Sequence, residues 1–181
     1  MVTGVKAQNT DIDLLRKINN ENTRGDKFFR FTSDATAPVG VIAPVSMFTI
    51  SLISEDKVLQ SNSLRTGSAV LLSTLIYTPL KYSIKRKRPF DQYPDIIQKQ
   101  KVSTFSFPSG HTSFAFATAT ALSLSYPKWY VIVPSYTYAG LVAYGRMHLG
   151  VHFPSDIVGG MIIGIGSGLL TWQLDKWIFK P

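Results

Sequence analysis

Gly145-Arg146-Met147-His148-Leu149-Gly150-Val151-His152-Phe153-Pro154-Ser155-Asp156 joins two uncharged apolar runs, residues 129–145 and 157–174. Proline is favoured in the first turn of a helix, so the spacing predicts a helix that starts near Pro154 and continues through 157–174. His152 then lies just outside that helix and Asp156 in its first turn, within reach of a histidine–carboxylate hydrogen bond. A carboxylate on one ring nitrogen fixes the tautomer and leaves the other nitrogen free as a nucleophile or base. Arg146 offers a planar fork for an oxyanion. Taken alone, the stretch reads equally well as a surface loop with incidental polar residues.

Two earlier stretches weigh against the plainer reading. Pro108-Ser109-Gly110-His111 directly precedes an apolar run, which puts its amides at a helix N-terminus, an anion site with a hydroxyl and an imidazole added. Lys81 precedes Arg88-Pro89 by seven residues, close to two helical turns; this predicts one shared helix face, with Pro89 ending the helix. All three histidines of the chain (His111, His148, His152) fall inside these motifs. Three fixed cations, a nest of amides, two imidazoles and an orienting acid suit a phosphoryl group.

The order Lys81-x6-Arg88-Pro89, Pro108–His111, Arg146-x5-His152-x3-Asp156 resembles the type-2 phosphatidic acid phosphatase and vanadium haloperoxidase superfamily. One departure is visible: the residue before the arginine is usually serine in that family and is Gly145 here. The resemblance implies an all-α helical bundle of about five core helices plus an N-terminal amphipathic helix. It also implies His152 as nucleophile, Asp156 as its orienting acid and His111 as proton donor to the leaving oxygen. Lys81, Arg88, Ser109, Gly110 and Arg146 would hold the phosphate oxygens. Neither a metal nor a cofactor is implied. His148 has no role in that scheme and reads as a structural or supporting histidine.

The 181 residues make one domain, with no cysteine for disulfide, thiolate or Cys-metal chemistry. The net charge of +8 is met more simply by an anionic substrate and membrane-flanking lysines than by nucleic acid. Mean hydropathy is only slightly positive, but uncharged runs cover residues 35–54, 66–80, 112–127, 129–145 and 157–174. A membrane span needs roughly 20 residues, with about 17 as a lower limit, and the first and last runs qualify. The others are short or rich in Ser, Thr and Tyr, as helices lining a polar site would be.

In chain order, residues 1–10 read as a disordered tail or an export-signal remnant, and 11–181 as one helical domain. Residues 11–31 form an amphipathic helix and 35–54 the first long one, carrying Pro44. Residues 55–65 form a polar connection. Residues 66–87 form the second long helix, ending in a basic run whose Lys85, Arg86 and Lys87 read as a solvated face. A loop over 90–107 forms the substrate entrance. Helices over 112–126, 129–144 and 157–179 complete the bundle, the last with Gly160, Gly164 and Gly168 spaced for close packing. Tyr126, Trp129 and Tyr130 would form an aromatic belt at one interface.

Five crossings would bring all three motifs to one membrane face. The expected protein is a multi-pass enzyme of a bacterial inner membrane with its site facing outward, acting on a lipid phosphate or diphosphate. The alternatives are a soluble or peripheral periplasmic acid phosphatase, a vanadate-dependent haloperoxidase, and an anion-binding protein without turnover. Oligomeric state is not legible in the sequence.

Overall fold

The computed structural model describes the backbone of residues 3–178 and the side chains of residues 10–177, and every regular element among them is a helix. Helix α1 is Thr3–Ile18 and α2 is Asp26–Asp34. Five long helices follow: α3 (Thr36–Ile53), α4 (Lys57–Ile84), α6 (Gly110–Ser125), α7 (Trp129–His148) and α8 (Pro154–Ile178), with the single turn α5 (Pro89–Gln92) between α4 and α6. The five-helix core is as expected; the amphipathic segment differs. It begins at Thr3 rather than Asp11 and is broken over residues 19–25, where Asn20 and Asn22 side chains cap backbone amides of Asn22 and Arg24. The end of the 157–179 reading, Phe179, lies outside the described residues.

Helix α4 also starts nine residues before the expected 66. Asp56 is its N-cap, its carboxylate accepting from the amides of Val58 and Leu59 at 2.9 Å each. The polar residues 57–65 are therefore helical, with Asn62 and Ser63 buried. At its other end α4 stops at Ile84, where Lys85 adopts a left-handed conformation (φ 51°, ψ 36°). Pro89 does not end this helix; it opens α5. Helix α3 runs unbroken through Pro44.

The core lies between α6, α7 and α8, where Phe116, Ala119, Val142, Ala143 and Ile157 are buried together. Close approach of α8 to α6 depends on the glycine row. A Cβ on Gly160 would fall 2.7 Å from the Ser109 carbonyl, one on Gly164 2.4 Å from that of Ser113, and one on Gly168 2.7 Å from Thr120 Cβ. A second cluster seats Ile12 and Leu15 of α1 against Ile96 and Phe153.

Alternation of direction along the bundle sets the position of the site. The start of α3, the end of α4, the start of α6, the end of α7 and the start of α8 all meet at one end. Asn19 clips this end together, donating to the carbonyls of Ile97 and His148. The turn after α7 needs Gly150 (φ +71°), since a Cβ there would meet the Ile97 carbonyl at 2.3 Å. Helices α3 and α8 contain segments long and apolar enough to cross a membrane, Thr36–Ile53 and Pro154–Trp177. Little of either is buried within the bundle, and Ile42, Ile53 and Ile162 turn outward. An apolar exterior of this kind is that of a helical membrane protein.

Candidate active site

A cavity of about 450 Å³ opens at the end where the motifs meet. Lys81, Arg88, Gly110, His111, Arg146 and His152 line it, together with Tyr77, Phe114 and residues 102–104. Six of the eight expected site residues thus share one chamber. Lys81 and Arg88 reach it without sharing a helix face: the chain turns at Lys85, and Arg88 lies outside α4 in extended backbone.

The segment over 90–107, expected as a substrate entrance, supplies carbonyls that fix two of the cations. Lys81 Nζ donates to Phe105 O at 3.0 Å, and Arg88 Nε to Thr104 O at 2.7 Å. A second Arg88 nitrogen donates to Val151 O and lies 3.3 Å from His152 Nε2. Arg146 donates to Gln100 Oε1, while Gln100 donates to Asp34 at 2.8 Å. Arg146 Nε has no hydrogen-bond partner among the described residues.

Helix α8 begins at Pro154, as the sequence predicts, with Asp156 in its first turn. His152 and Asp156 are both buried, with Nδ1 3.5 Å from Asp156 Oδ2. That separation is too long for a strong hydrogen bond, and such bonds commonly tighten only when substrate is bound. Guanidinium groups only donate, so the Arg88 contact makes Nε2 the unprotonated nitrogen and leaves the proton on Nδ1, facing Asp156. Burial, and then the fields of Arg146, Arg88 and Lys81, push the His152 pKa well below the ordinary histidine value. A neutral imidazole with its lone pair toward a cationic chamber is the nucleophilic form. Burial likewise lowers Arg88, to about 10.

Ser109 and Asp156 do not line the chamber. Ser109 is wholly buried as the N-cap of α6, its Oγ taking a hydrogen bond from Thr112 Oγ1 at 2.9 Å. Its hydroxyl serves the helix start rather than the cavity, while the adjacent Gly110 forms part of the wall. Gly110 sits against Tyr77, whose ring would lie 3.0 Å from an added Cβ.

Three features were missed by sequence reasoning. Ser106 Oγ donates to Asp156 Oδ2, which also accepts from Phe153 N at 2.8 Å. Arg86, read as part of a solvated face, is instead ion-paired to Asp156 Oδ1 at 2.7 Å; its neighbours Lys85 and Lys87 are exposed as expected. His148 pairs with Asp26 at 2.7 Å, and Lys99 reaches the same carboxylate oxygen at 3.1 Å. Ser106 stands fifty residues from its partner, and no local pattern marks it.

The PAP2 superfamily model matches residues 63–180, which contain every one of the site residues named in the sequence reading. The chain belongs to the PAP2 superfamily. Among PAP2-related proteins, it is 34% identical over 117 residues to an undecaprenyl-diphosphatase of Sulfolobus acidocaldarius, covering 62% of this chain and 56% of that one. The chain thus spans little more than half the length of this relative. LpxE of Aquifex aeolicus superposes with a TM-score of 0.77 at 28% identity, over 91% of this chain and 95% of that one. The transmembrane PAP2-type phosphatidylglycerolphosphate phosphatase of Bacillus subtilis gives 0.75 at 24% identity, over 97% and 89%, and shares the fold. Gly145, the PAP2 departure, has a steric reason here: a Cβ would stand 3.0 Å from the ring of Phe29, which packs α2 onto α7.

Among the described residues, no group of three or more His, Asp or Glu side chains gathers as a metal site. Lys81, Arg88 and Arg146 give the chamber three cationic side chains.

Proposed function

We propose that the protein is a metal-independent phosphatase that hydrolyses a lipid phosphate or diphosphate through a phosphohistidine intermediate. The observation that carries this reading is the position of His152 Nε2, which faces a chamber lined by Lys81, Arg88, Arg146 and His111. His152 attacks phosphorus, breaking the bond to the leaving oxygen, and Asp156 stabilises the cationic phosphoimidazole as it forms. His111 gives its proton to the leaving oxygen, then takes one from the water that attacks the phosphohistidine. Lys81, Arg88, Arg146 and the Gly110 amide hold the equatorial oxygens while charge redistributes.

The lipid part of the reading rests on what adjoins the chamber. Phe114 lines both it and an apolar groove of about 550 Å³ between α3 and α4, bounded by Val41, Val45, Phe48, Leu64 and Leu71. A head group in the chamber would leave its chain beside these outward-facing side chains. The sequence reading's candidate substrates are phosphatidate, phosphatidylglycerol phosphate, an isoprenyl diphosphate and lipid A, and the relatives' names support the isoprenyl diphosphate and the phosphatidylglycerol phosphate among them. We place the protein in a bacterial inner membrane with five crossings and the site at the outer face.

Phosphate release from a panel of phosphatidate, phosphatidylglycerol phosphate, undecaprenyl diphosphate, lipid A and water-soluble esters tests the function. Turnover of at least one lipid, unchanged by chelator and blocked by vanadate, is expected. Release from soluble esters alone would overturn the lipid assignment, and vanadate-dependent halide oxidation the phosphatase assignment. Extraction by alkaline carbonate without detergent would contradict the location.

A further inference from the structure

Arg86 reaches back from the end of α4 to the first turn of α8. One terminal nitrogen donates to Asp156 Oδ1 at 2.7 Å and to Ser155 Oγ at 2.6 Å. The other donates to Asp11 Oδ2 on α1 at 2.8 Å, and the guanidinium lies 4.0 Å from the centre of the Phe153 ring. Asp11 is itself fixed, accepting from the Ser155 amide at 2.8 Å and the Ser155 hydroxyl at 2.6 Å. Arg86 does not line the chamber, so it does not meet the phosphoryl group.

Asp156 needs this partner. Its side chain is wholly buried, and a buried carboxylate without a countercharge is strongly disfavoured. Among the described residues Arg86 is the one lysine or arginine within ion-pair distance of it. Lys81 and Arg88 are turned instead toward the carbonyls of residues 104, 105 and 151. We propose that Arg86, held by Asp11, is a positioning residue that keeps the Asp156 carboxylate ionised and aimed at His152. Helix α1 thereby becomes part of the apparatus that sets the nucleophile. A guanidinium suits the role better than an ammonium, since separate nitrogens of one planar fork reach Asp156 and Asp11.

The inference rests on the phosphatase reading, so the test starts from wild-type turnover of a lipid phosphate and of nitrophenyl phosphate. Supporting partners of a catalytic group typically contribute about 10–100-fold. Arg86→Ala is expected to lower kcat by about that factor, with KM moving less than about threefold. Arg86→Lys should recover part of the loss. Asp11→Asn, which keeps the side-chain volume and leaves the arginine in place, should show a smaller loss of the same kind. In an Asp156→Asn background, Arg86→Ala and Asp11→Asn should each change kcat less than about threefold, because the group they act through is gone. Equal losses in both backgrounds, or a raised KM at unchanged kcat, would overturn the role. If Arg86→Ala does not yield folded protein, Asp11→Asn in the two backgrounds decides by the same criterion. Absence of wild-type turnover on every phosphate ester would remove the phosphatase reading and Arg86 with it. Normal wild-type turnover with an additive cycle removes Arg86 alone.

Discussion

Two histidine–aspartate pairs stand side by side at the end of α7, and they are built in opposite ways. His148 Nε2 lies 2.7 Å from Asp26, whose carboxylate also takes Lys99; the ring packs against Phe29 and Tyr144. His152 Nδ1 stands 3.5 Å from Asp156, whose oxygens are occupied by Arg86, Ser106 and the Phe153 amide, while Nε2 faces the chamber. The first pair is tight and closed, and it ties α2 and Lys99 to α7. The second is loose at the histidine and firmly held at the carboxylate. A histidine–carboxylate contact is therefore not in itself a catalytic sign. What distinguishes the second pair is an acid anchored by other groups and a ring nitrogen left facing cations.

The largest contrast is expected in turnover. His152→Ala should lower kcat by at least about 10⁴-fold, the scale on which loss of a nucleophile is felt. His148→Gln should stay within about tenfold of wild type while lowering thermal stability. Comparable loss from both would erase the distinction, and steady-state kinetics on one lipid phosphate suffices to see it.

Stability should reverse the ranking. Asp26→Asn leaves Lys99 buried without its countercharge, and breaking such a pair costs about 3–5 kcal/mol. The melting temperature in detergent should fall clearly, with a smaller fall for His152→Ala. Burial alone pushes the Asp26 pKa up, but its hydrogen bonds with His148 and Lys99 outweigh that and hold it below the usual carboxylate value. Its contribution is thus present above about pH 4 and lost as pH falls through the lowered value.

A smaller effect follows from the neutral His152. Its folded-state pKa lies below the unfolded value of about 6.5, so acidification favours the unfolded chain. Stability should fall as pH drops from 7 to 5, by up to about 1.4 kcal/mol per pH unit from this group. His152→Asn should fall less over the same range; an identical pH dependence would mean that His152 is not held neutral. The smallest change is Gly145→Ser, which restores the family's residue but crowds Phe29. It should cost about 1 kcal/mol, read as a modest drop in melting temperature with turnover little altered.

Much of this architecture is legible in the sequence where the signal is local. Pro154 marks the start of α8 and with it the spacing of His152 and Asp156; the row Gly160, Gly164, Gly168 announces the close approach of α8 to a neighbour. Local reading fails where a polar residue has a distant partner or a helix cap. Residues 57–65 look like a linker until Asp56 is recognised as an N-cap. Lys81 and Arg88 do share a site, but through a left-handed turn at Lys85 that no periodicity indicates. Arg86 sits among exposed lysines and differs from them only because the fold brings Asp11 and Asp156 to it from 75 and 70 residues away. Ser106, Gln100 and Asp26 are hidden for the same reason.

The central claim is that His152, and not His111, carries the phosphoryl group. Rapid-quench trapping of acid-labile phosphoprotein, located by mass spectrometry, tests it with nitrophenyl phosphate and with a lipid phosphate. The nitrophenolate leaving group needs little protonation, so His111→Ala should still be phosphorylated at His152 by this ester while failing with the lipid, and His152→Ala should carry no phosphate with either. Phosphate on His111, or a phosphorylated His152→Ala beside an unphosphorylated His111→Ala, would contradict the account.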